Sequence, residues 1–229
     1  MPAPAHTSLK VLITAGPTYE PIDAVRFLGN RSSGRLGHAL AAEAAQRGHQ
    51  VTLLLGPASQ CTMVPTQITL HRFRTTADLQ ALLARLWADH DVLIMAAAVA
   101  DYRPTTPVNG GKIRRSSRGL TLHLEPTPDL LAGLAKQSRP DQTLIGFALE
   151  EAAELPHAAQ AKLAGKGVDA IVANPLATMD ADDIRAVLHM RGGVTLDPGG
   201  ALPKTRFAAW LLDRVAEIHA AKPATPSRG

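Results

Sequence analysis

Short apolar runs alternate with an alanine-rich amphipathic segment near the start of the chain. Lys10–Thr14 and Gln50–Leu55 have the length and composition of buried strands. Leu36–Gln46 lies between them and has a helical pattern that stops at Arg47-Gly48. Two parallel strands must be joined by a crossover, which is usually a helix. The pattern therefore predicts a β-α-β unit.

The same alternation continues through most of the chain. Thr75-Thr76 predicts an N-cap for a helix over Ala77–Asp89, and Val92–Ala98 is a near-continuous apolar run suited to a central strand. A strand, a helix and a further strand are predicted in the second half, at Leu144–Ala148, Leu155–Gly165 and Ala170–Ala173. The fold class that follows is α/β, with a doubly wound, mostly parallel Rossmann-like sheet and helices on both faces.

The C-terminal part of the chain follows a different pattern. Arg185–Met190 and Val194–Leu196 flank Arg191-Gly192-Gly193, where glycine can supply the geometry of a tight turn. We predict a hairpin here, as a C-terminal extension of the fold. An amphipathic helix is predicted after it, over Lys204–Ala220.

The composition indicates one folded unit of moderate size. With 229 residues, of which 45% are hydrophobic, residues 1–222 are predicted to form a single domain, followed by a disordered tail at 223–229. No apolar run approaches the roughly 18 to 20 residues of a membrane helix, and the first residues lack the pattern of a signal peptide. We therefore expect a cytoplasmic protein with no membrane partner.

Charge and residue usage favour a small anionic ligand. The formal net charge is +4, whereas aromatic residues make up only 3% and the basic residues are scattered, which argues against nucleic acid. Cys61 is the only cysteine, which excludes a disulfide framework, and the histidines show no metal-ligand spacing. We expect a phosphorylated small molecule as ligand and no structural metal.

The connection between the first strand and the first helix is unusually long. Ala15–Ser33 spans about twenty residues, well above the usual length of such a loop. It ends in Ser32-Ser33-Gly34, where backbone amides and hydroxyls at a helix start favour an anion. We interpret Ser33 and Gly34 as a phosphate site. The alternative is an N-cap with close packing of the helix on the sheet.

Motifs in this loop and after it extend along nearly the whole chain. They are Ile13–Thr18, Glu20–Asp23, Val25–Phe27, Asn30–Gly34, Ala97–Arg103, Lys112–Arg115, Pro128–Leu130, Gly146–Ala148, and Lys162 with Lys166. In this combination the chain closely resembles the phosphopantothenoylcysteine synthetase family. The resemblance implies a ligase of coenzyme A biosynthesis that joins 4'-phosphopantothenate to L-cysteine. CTP activates the carboxylate as an acyl-cytidylate, and pyrophosphate and CMP are released.

The resemblance also implies roles for individual residues. Asn30 contacts the acyl-nucleotide intermediate and Lys112 engages the triphosphate, so both are catalytic candidates; Arg26 and Asn30 are candidates for substrate binding. The predicted nucleotide-binding residues are Gly16, Ser33, Gly34, Ala97, Asp101, Lys112, Thr127, Pro128, Asp129, Leu130, Phe147, Lys162 and Lys166. No protein-bound metal is predicted, and Mg²⁺ is expected to arrive with CTP.

Several of these residues have structural alternatives. Asp101 follows an apolar strand, at the carboxyl end where α/β folds bind ligands. Alternatively, it could cap a helix or pair with Arg103. Thr127-Pro128-Asp129 has the pattern of an N-cap with proline at the first helical position. Phe147 is either core or a neighbour of the cytosine ring.

The charged residues leave similar alternatives open. Lys162 and Lys166 are four apart on a predicted helix, which suggests a phosphate clamp or a solvated face. Arg26 and the Glu20–Asp23 turn could position the pantothenate side or each other. The segment Gly111–Arg115 has fewer lysines than many relatives, and Thr127 stands where asparagine is common.

Family members are usually dimers, so a homodimer is expected, with the hairpin over 185–196 as the candidate interface. Because the chain starts directly at the ligase motif, we expect a separate phosphopantothenoylcysteine decarboxylase to act next. Two other classes remain open at this stage. One is an NAD(P)-dependent oxidoreductase, which the long loop and the lack of a strict G-x-G-x-x-G turn disfavour. The other is a nucleotide-binding protein without catalysis.

Overall fold

A computed structural model describes residues 8–57, 64–106, 111–115, 117, 119–151, 155–178 and 181–223. Cys61 and most of the predicted tail lie outside the described residues. The helices are α1 Arg35–Gln46, α2 Thr76–Leu86, α3 Leu130–Ala135, α4 Leu155–Lys166 and α5 Lys204–Ala220. The strands are β1 Lys10–Ala15, β2 Tyr19–Pro21, β3 Phe27–Gly29, β4 Gln50–Leu55, β5 Ile68–Arg72, β6 Val92–Met95, β7 Tyr102–Pro104, β8 Leu124–Pro126, β9 Thr143–Glu150, β10 Ala170–Pro175, β11 Asp183–Ile184, β12 Val187–Met190, β13 Thr195–Leu196 and β14 Leu202–Pro203.

The central sheet has eight strands in the order β13-β12-β10-β9-β6-β1-β4-β5. The six strands from β10 to β5 are parallel, which confirms the predicted doubly wound arrangement. Strands β4 and β5 lie on one side of β1, and the next strands of the sheet along the chain, β6, β9 and β10, lie on its other side. Ligands in such sheets bind where the strand order reverses, at the carboxyl ends of the strands. The carboxyl edge beside β1 and β6 is therefore the expected position of the site.

Helices cover both faces of the sheet because alternate side chains of each strand point to opposite faces. Val11 and Ile13 of β1 pack in a buried cluster with residues of α1 and α5. Leu12 belongs to a second cluster, on the other face, with residues of α2, α3 and α4. A strand buried on both faces needs a continuous apolar sequence, as β1 has.

Helix α1 lies very close to β1. A Cβ atom added at Gly37 would be only 2.4 Å from the Cβ of Ala15 and 3.2 Å from the carbonyl oxygen of Thr14. The N-cap of α1 is Gly34, which has a φ of 70° and makes no side-chain capping bond. Glycine adopts this left-handed conformation without steric cost. The close packing considered above is therefore present, whereas Ser33 does not cap the helix.

Most of the predicted elements are present, with shifted ends. The hairpin of β12 and β13 is confirmed, but β12 also pairs antiparallel with β10, so the hairpin forms the edge of the central sheet. Strand β6 ends at Met95 and not at Ala98. The predicted cap at Thr127 with Pro128 in the first helical position is wrong, because Asp129 is the N-cap of α3 and Leu130 begins the helix.

Several short strands were not predicted from the sequence, among them β11 and β14, which pair with each other. Strand β5 is absent from the predicted set, and two antiparallel pairs, β2 with β3 and β7 with β8, lie in segments treated as loops. These strands are five residues long or shorter. Runs of that length give too little periodicity to separate a strand from a turn. In the part of the chain that the structure describes, no helix is both long and apolar enough to span a membrane.

Candidate functional site

A cavity of about 160 Å³ opens at the carboxyl edge of the sheet, beside the end of β6. It lies between the segment after β6, the start of α3 and the end of α4. Eight of the predicted nucleotide-binding residues line it: Ala97, Asp101, Thr127, Pro128, Asp129, Leu130, Phe147 and Lys166. Residues spread over seventy positions of the sequence thus meet at the edge that the fold predicts for a ligand.

The segment that follows β6 is held by buried threonines. The Thr14 hydroxyl accepts a hydrogen bond from the backbone N–H of Ala97 at 3.1 Å, and the Thr18 hydroxyl accepts one from Ala100 at 2.9 Å. Both threonines are fully buried. Irregular backbone at a cavity wall needs such partners because its N–H groups lie outside the sheet ladder. The threonines therefore fix the wall that carries Asp101.

Thr127 joins this wall to α3. Its hydroxyl donates to the carbonyl oxygen of Ala100 at 2.5 Å, and its N–H donates to that of Asp101 at 2.9 Å. The Thr127 hydroxyl thus holds the chain on the rim of the cavity. The contribution of Thr127 in the described structure is thus to shape the site.

Asp101 is exposed and lines the cavity. Among the described residues no side chain bonds its carboxylate. The alternative pairing with Arg103 is wrong, because Arg103 donates to the Glu125 carboxylate at 2.7 Å. Asp101 caps no helix either, since α3 has Asp129 as its cap. The carboxylate at the mouth of the cavity is therefore available to a ligand.

Asp129 and Lys166 connect α3 to α4. One oxygen of Asp129 accepts the N–H of Ala132 at 3.1 Å, which caps α3, and the carboxylate pairs with Lys166 at 3.1 Å. The sequence suggested an anion beside the two lysines of α4, and for Lys166 one such anion is Asp129 itself. Lys162 lies one turn earlier on the helix and does not line the cavity.

Phe147 lies between the core and the cavity, so its core alternative is confirmed and its role beside a cytosine ring stays a prediction. It is partly buried, packs against the cluster shared with α1 and α5, and also lines the cavity. A ring in this position offers an apolar face to a planar ligand while its other side stabilises the core.

Asn30 lies at the rim of the same cavity. Its side-chain amide donates to the carbonyl oxygen of Val99 at 2.9 Å, and Val99 is part of the cavity wall. This bond orients the amide while the residue remains exposed. Asn30 is thus brought next to the predicted nucleotide residues from a loop nearly seventy positions earlier.

The remaining candidates lie outside the cavity. Gly16 has a φ of 81°, and its carbonyl oxygen accepts the N–H of Ala98 at 3.0 Å, so it supports the wall from behind. Ser33 and Gly34 lie at the start of α1. Lys112 is exposed in the segment Gly111–Arg115, which we call the lysine segment.

Asp23 is an enclosed carboxylate with several donors. Its side chain has 0% exposure and pairs with the Arg26 guanidinium at 2.6 Å. It also accepts the backbone N–H groups of Val25 at 2.8 Å, Arg26 at 2.7 Å and Ile113 at 3.0 Å. Burial raises the pKa of Asp23, but these donors lower it more, from 3.8 to about 2. Of the alternatives for Arg26, pairing with this turn is the one observed.

We expect Asp23 to make the free energy of unfolding decrease at acidic pH. Its pKa is about 2 in the folded chain and near 3.8 when unfolded, so its contribution is complete above about pH 4 and is lost as the pH falls towards 2. Urea unfolding at about pH 5 and about pH 2.5 measures this loss. The decrease should be smaller in Asp23→Asn, and an equal decrease in both proteins would contradict the assignment.

Sequence reasoning missed the buried role of Glu20. The Glu20 carboxylate is 3% exposed and accepts both the N–H and the hydroxyl of Thr76, each at 2.7 Å. Thr76 is the first residue of α2, and a negative charge at a helix start is favourable. The Thr76 hydroxyl also lies 3.3 Å from that of Thr18. The unpaired N–H groups that every helix start carries were the available signal.

The described ranges of the chain contain no group of three or more His, Cys, Asp or Glu residues that could hold a metal ion. A larger open groove of about 480 Å³ lies between α1 and the start of α5, and none of the predicted site residues lines it. The smaller cavity at the sheet edge is therefore the candidate site.

Comparison with known proteins relates the chain to coenzyme A biosynthesis. It is 40% identical over 170 residues to the coenzyme A biosynthesis bifunctional protein CoaBC of Bacillus subtilis (strain 168), covering 72% of this chain and 39% of that protein. It is 44% identical over 169 residues, 73% of this chain, to a cysteine/cysteine sulfinic acid decarboxylase from an unknown prokaryotic organism, and covers 46% of that protein. The chain thus spans less than half the length of either relative.

A solved structure and a family description cover nearly the whole chain. The crystal structure of the C-terminal domain of a coenzyme A biosynthesis bifunctional protein CoaBC superposes with a TM-score of 0.79 and 31% identity, over 94% of this chain and 98% of that one. Residues 6–218 match the family described as the DNA/pantothenate metabolism flavoprotein C-terminal domain. On this match, and with the corresponding fold, the chain belongs to that family.

Proposed function

We propose that the protein is a phosphopantothenate–cysteine ligase of coenzyme A biosynthesis that uses CTP. The observation that carries the proposal is the cavity in which eight predicted nucleotide residues meet, with Asn30 at its rim. The matching CoaBC structure supports the assignment, because it is similar to this chain over almost its full length. The family placement favours this reaction over an NAD(P)-dependent oxidoreductase.

The size of the cavity suggests which part of the nucleotide it encloses. About 160 Å³ is below the roughly 300 to 1,000 Å³ of a pocket that encloses a whole ligand. We assign the nucleoside to the cavity, against Phe147 and beside Asp129. The triphosphate then extends towards Asp101 at the cavity mouth, Lys166 and the lysine segment.

Each step of this reaction needs positioning and charge neutralisation more than a covalent nucleophile. The 4'-phosphopantothenate carboxylate attacks the α-phosphate of CTP, and pyrophosphate leaves. The Asn30 amide can both donate to and accept from the resulting acyl-cytidylate. The Lys112 ammonium neutralises charge on the departing pyrophosphate. The amine of cysteine then attacks the acyl carbon, and CMP leaves.

Mg²⁺ is proposed as the companion of CTP. It usually binds through one or two carboxylates together with substrate phosphates. The exposed Asp101 carboxylate at the cavity mouth fits this donor set. When bound, the ion would neutralise charge on the triphosphate.

The test is pyrophosphate release from purified protein with CTP, Mg²⁺ and 4'-phosphopantothenate. Release should require phosphopantothenate, and CMP should appear when L-cysteine is added. ATP serves as the comparison nucleotide, and calorimetry with NAD(P) tests the oxidoreductase alternative. CTP binding without pyrophosphate release would instead indicate a nucleotide-binding protein without catalysis.

We expect Lys166→Met to raise the KM for CTP by about tenfold, because one charge-assisted contact to an anion is lost. The pair with Asp129 is partly exposed and adds little to stability, so the melting temperature should hardly change. Steady-state kinetics and thermal unfolding measure the two effects. Lys136→Met on the exposed end of α3 removes the same charge outside the cavity and is the control. An unchanged KM would remove Lys166 from the nucleotide site.

A homodimer is also proposed, and exposed apolar side chains offer a second candidate surface besides the C-terminal hairpin, on which Val194 is exposed. Large apolar side chains are exposed on the two short antiparallel pairs or within two residues of them: Val25, Phe27, Tyr102, Leu122 and Leu124. Strands β2 and β7 contact each other, which makes these pairs neighbours. A second copy would remove this apolar surface from water. Sedimentation that shows only monomer at working concentration would contradict the dimer.

Two further expectations stay predictions. A separate phosphopantothenoylcysteine decarboxylase would consume the product, and coupling the two purified proteins would test this. A cytoplasmic location would be tested by fractionation of cells.

A further inference from the structure

The lysine segment is attached to a turn that precedes it by almost ninety residues. Oδ2 of Asp23 accepts the N–H of Ile113 at 3.0 Å, and the Arg26 guanidinium donates to the Ile113 carbonyl oxygen at 3.2 Å. On the other side of Lys112, the carbonyl oxygen of Gly111 accepts the N–H of Ala24 at 3.0 Å. Both neighbours of Lys112 are therefore bonded to the same turn, while Lys112 itself is exposed.

The two oxygens of Asp23 have separate partners. Oδ1 accepts the N–H groups of Val25 and Arg26, which closes the turn on itself. Oδ2 accepts Ile113 and the Arg26 guanidinium, which attaches the lysine segment. The carboxylate has 0% exposure, so water does not compete for these donors. The first oxygen therefore closes the turn through its backbone, and the second joins the turn, through Arg26 as well, to the lysine segment.

We propose that Asp23 is a positioning residue that fixes the lysine segment, so that Lys112 is held at the reacting phosphates. The role of Lys112 in this inference rests on the proposed ligase function. The attachment of the lysine segment to the Asp23 turn rests only on the hydrogen bonds described above. A lysine side chain has several rotatable bonds and contributes to a transition state only if its backbone is held in place. Asp23 acts through Lys112 and touches no substrate.

Asp23→Asn separates the two functions of the carboxylate. The amide oxygen can keep the bonds to Val25 and Arg26, whereas the amide nitrogen cannot accept from Ile113 or from the guanidinium. Hydrogen exchange followed by NMR should therefore become at least tenfold faster at the Ile113 amide and stay unchanged at Val25. Unchanged protection at Ile113 would overturn the attachment.

The kinetic test is a double-mutant cycle with Lys112→Gln. Asp23→Asn should lower kcat for pyrophosphate release by roughly 10- to 100-fold and leave the KM for cysteine unchanged. In a Lys112→Gln background the same substitution should lower kcat by less than about threefold, because the lysine through which it acts is gone. Equal losses in both backgrounds would overturn the positioning role and indicate a general structural effect.

Two further variants complete the experiment. Asp213→Asn is the control, because it breaks another carboxylate–arginine pair, with Arg47 at 2.7 Å. This pair contains no site residue, so kcat should not change. If Asp23→Asn does not fold, Ile113→Pro removes the same N–H donor from a partly exposed segment and should give the same loss of kcat. A wild-type protein without pyrophosphate release would overturn the proposed function and the role of Lys112, while hydrogen exchange would still decide whether Asp23 holds the segment.

Discussion

Lys112→Gln is expected to slow pyrophosphate release by about 10²- to 10³-fold, the usual loss when one group that stabilises developing charge is removed. Lys112 is exposed and lies between two residues that are bonded to the Asp23 turn, so its removal should not disturb the core. The variant should therefore keep the wild-type melting temperature. Single-turnover pyrophosphate release with CTP and 4'-phosphopantothenate measures the effect.

The control for Lys112→Gln is Lys136→Gln, which removes the same charge from the exposed end of α3. Its rate should stay within about twofold of wild type, because Lys136 is exposed and does not line the cavity. Lys112→Arg keeps the charge and should recover part of the activity. A Lys112→Gln enzyme with normal turnover would remove the lysine from the mechanism.

Gly37→Val is expected to lower the free energy of unfolding by about 3 kcal/mol or more, as overpacking in a buried contact does. A Cβ at this position would lie 2.4 Å from the Cβ of Ala15, and neither α1 nor β1 can move away without disturbing the sheet. Urea unfolding followed by circular dichroism measures the change. Ala15 ends β1 at the edge that carries the cavity, so nucleotide binding should weaken as well.

Gly133→Ala is the matched control for Gly37→Val, because it changes a helical glycine whose Cβ would meet nothing within 4 Å. Alanine has the higher helix propensity, so stability should be unchanged or increase by up to about 1 kcal/mol. Equal destabilisation by both substitutions would show that helix conformation, and not the contact with Ala15, decides the result.

The elements that could be predicted from the sequence are those with strong periodicity. Gln50–Leu55 and Lys204–Ala220 have the bounds that the pattern indicated, and five of the six parallel strands, all except β5, follow from the alternation of strand and helix. The short pairs β2 with β3 and β7 with β8 could not be predicted, because three residues carry no usable period. Their pairing depends on contacts between distant segments.

In the site, too, some features could be predicted from the sequence and others could not. The resemblance identified Ala97, Asp101 and Phe147, and the structure brings them into one cavity with Lys166. The sequence left open whether Asp101 pairs with Arg103, and the pairing of Arg103 with Glu125 answers that question. It also suggested that Pro128 begins α3, whereas Asp129 is the cap. Choices between neighbouring polar residues depend on where the backbone N–H groups point.

The sequence by itself determined the fold class and the family, because both depend on local pattern and on residue types in order. The alternation of apolar runs and amphipathic segments is enough to build a doubly wound sheet. The tertiary structure alone decided which side chains work together, such as Asp23 with Ile113 and Glu20 with Thr76. These pairs are separated by 90 and 56 positions, and hydrogen bonds act only over about 3 Å, so no sequence pattern records them.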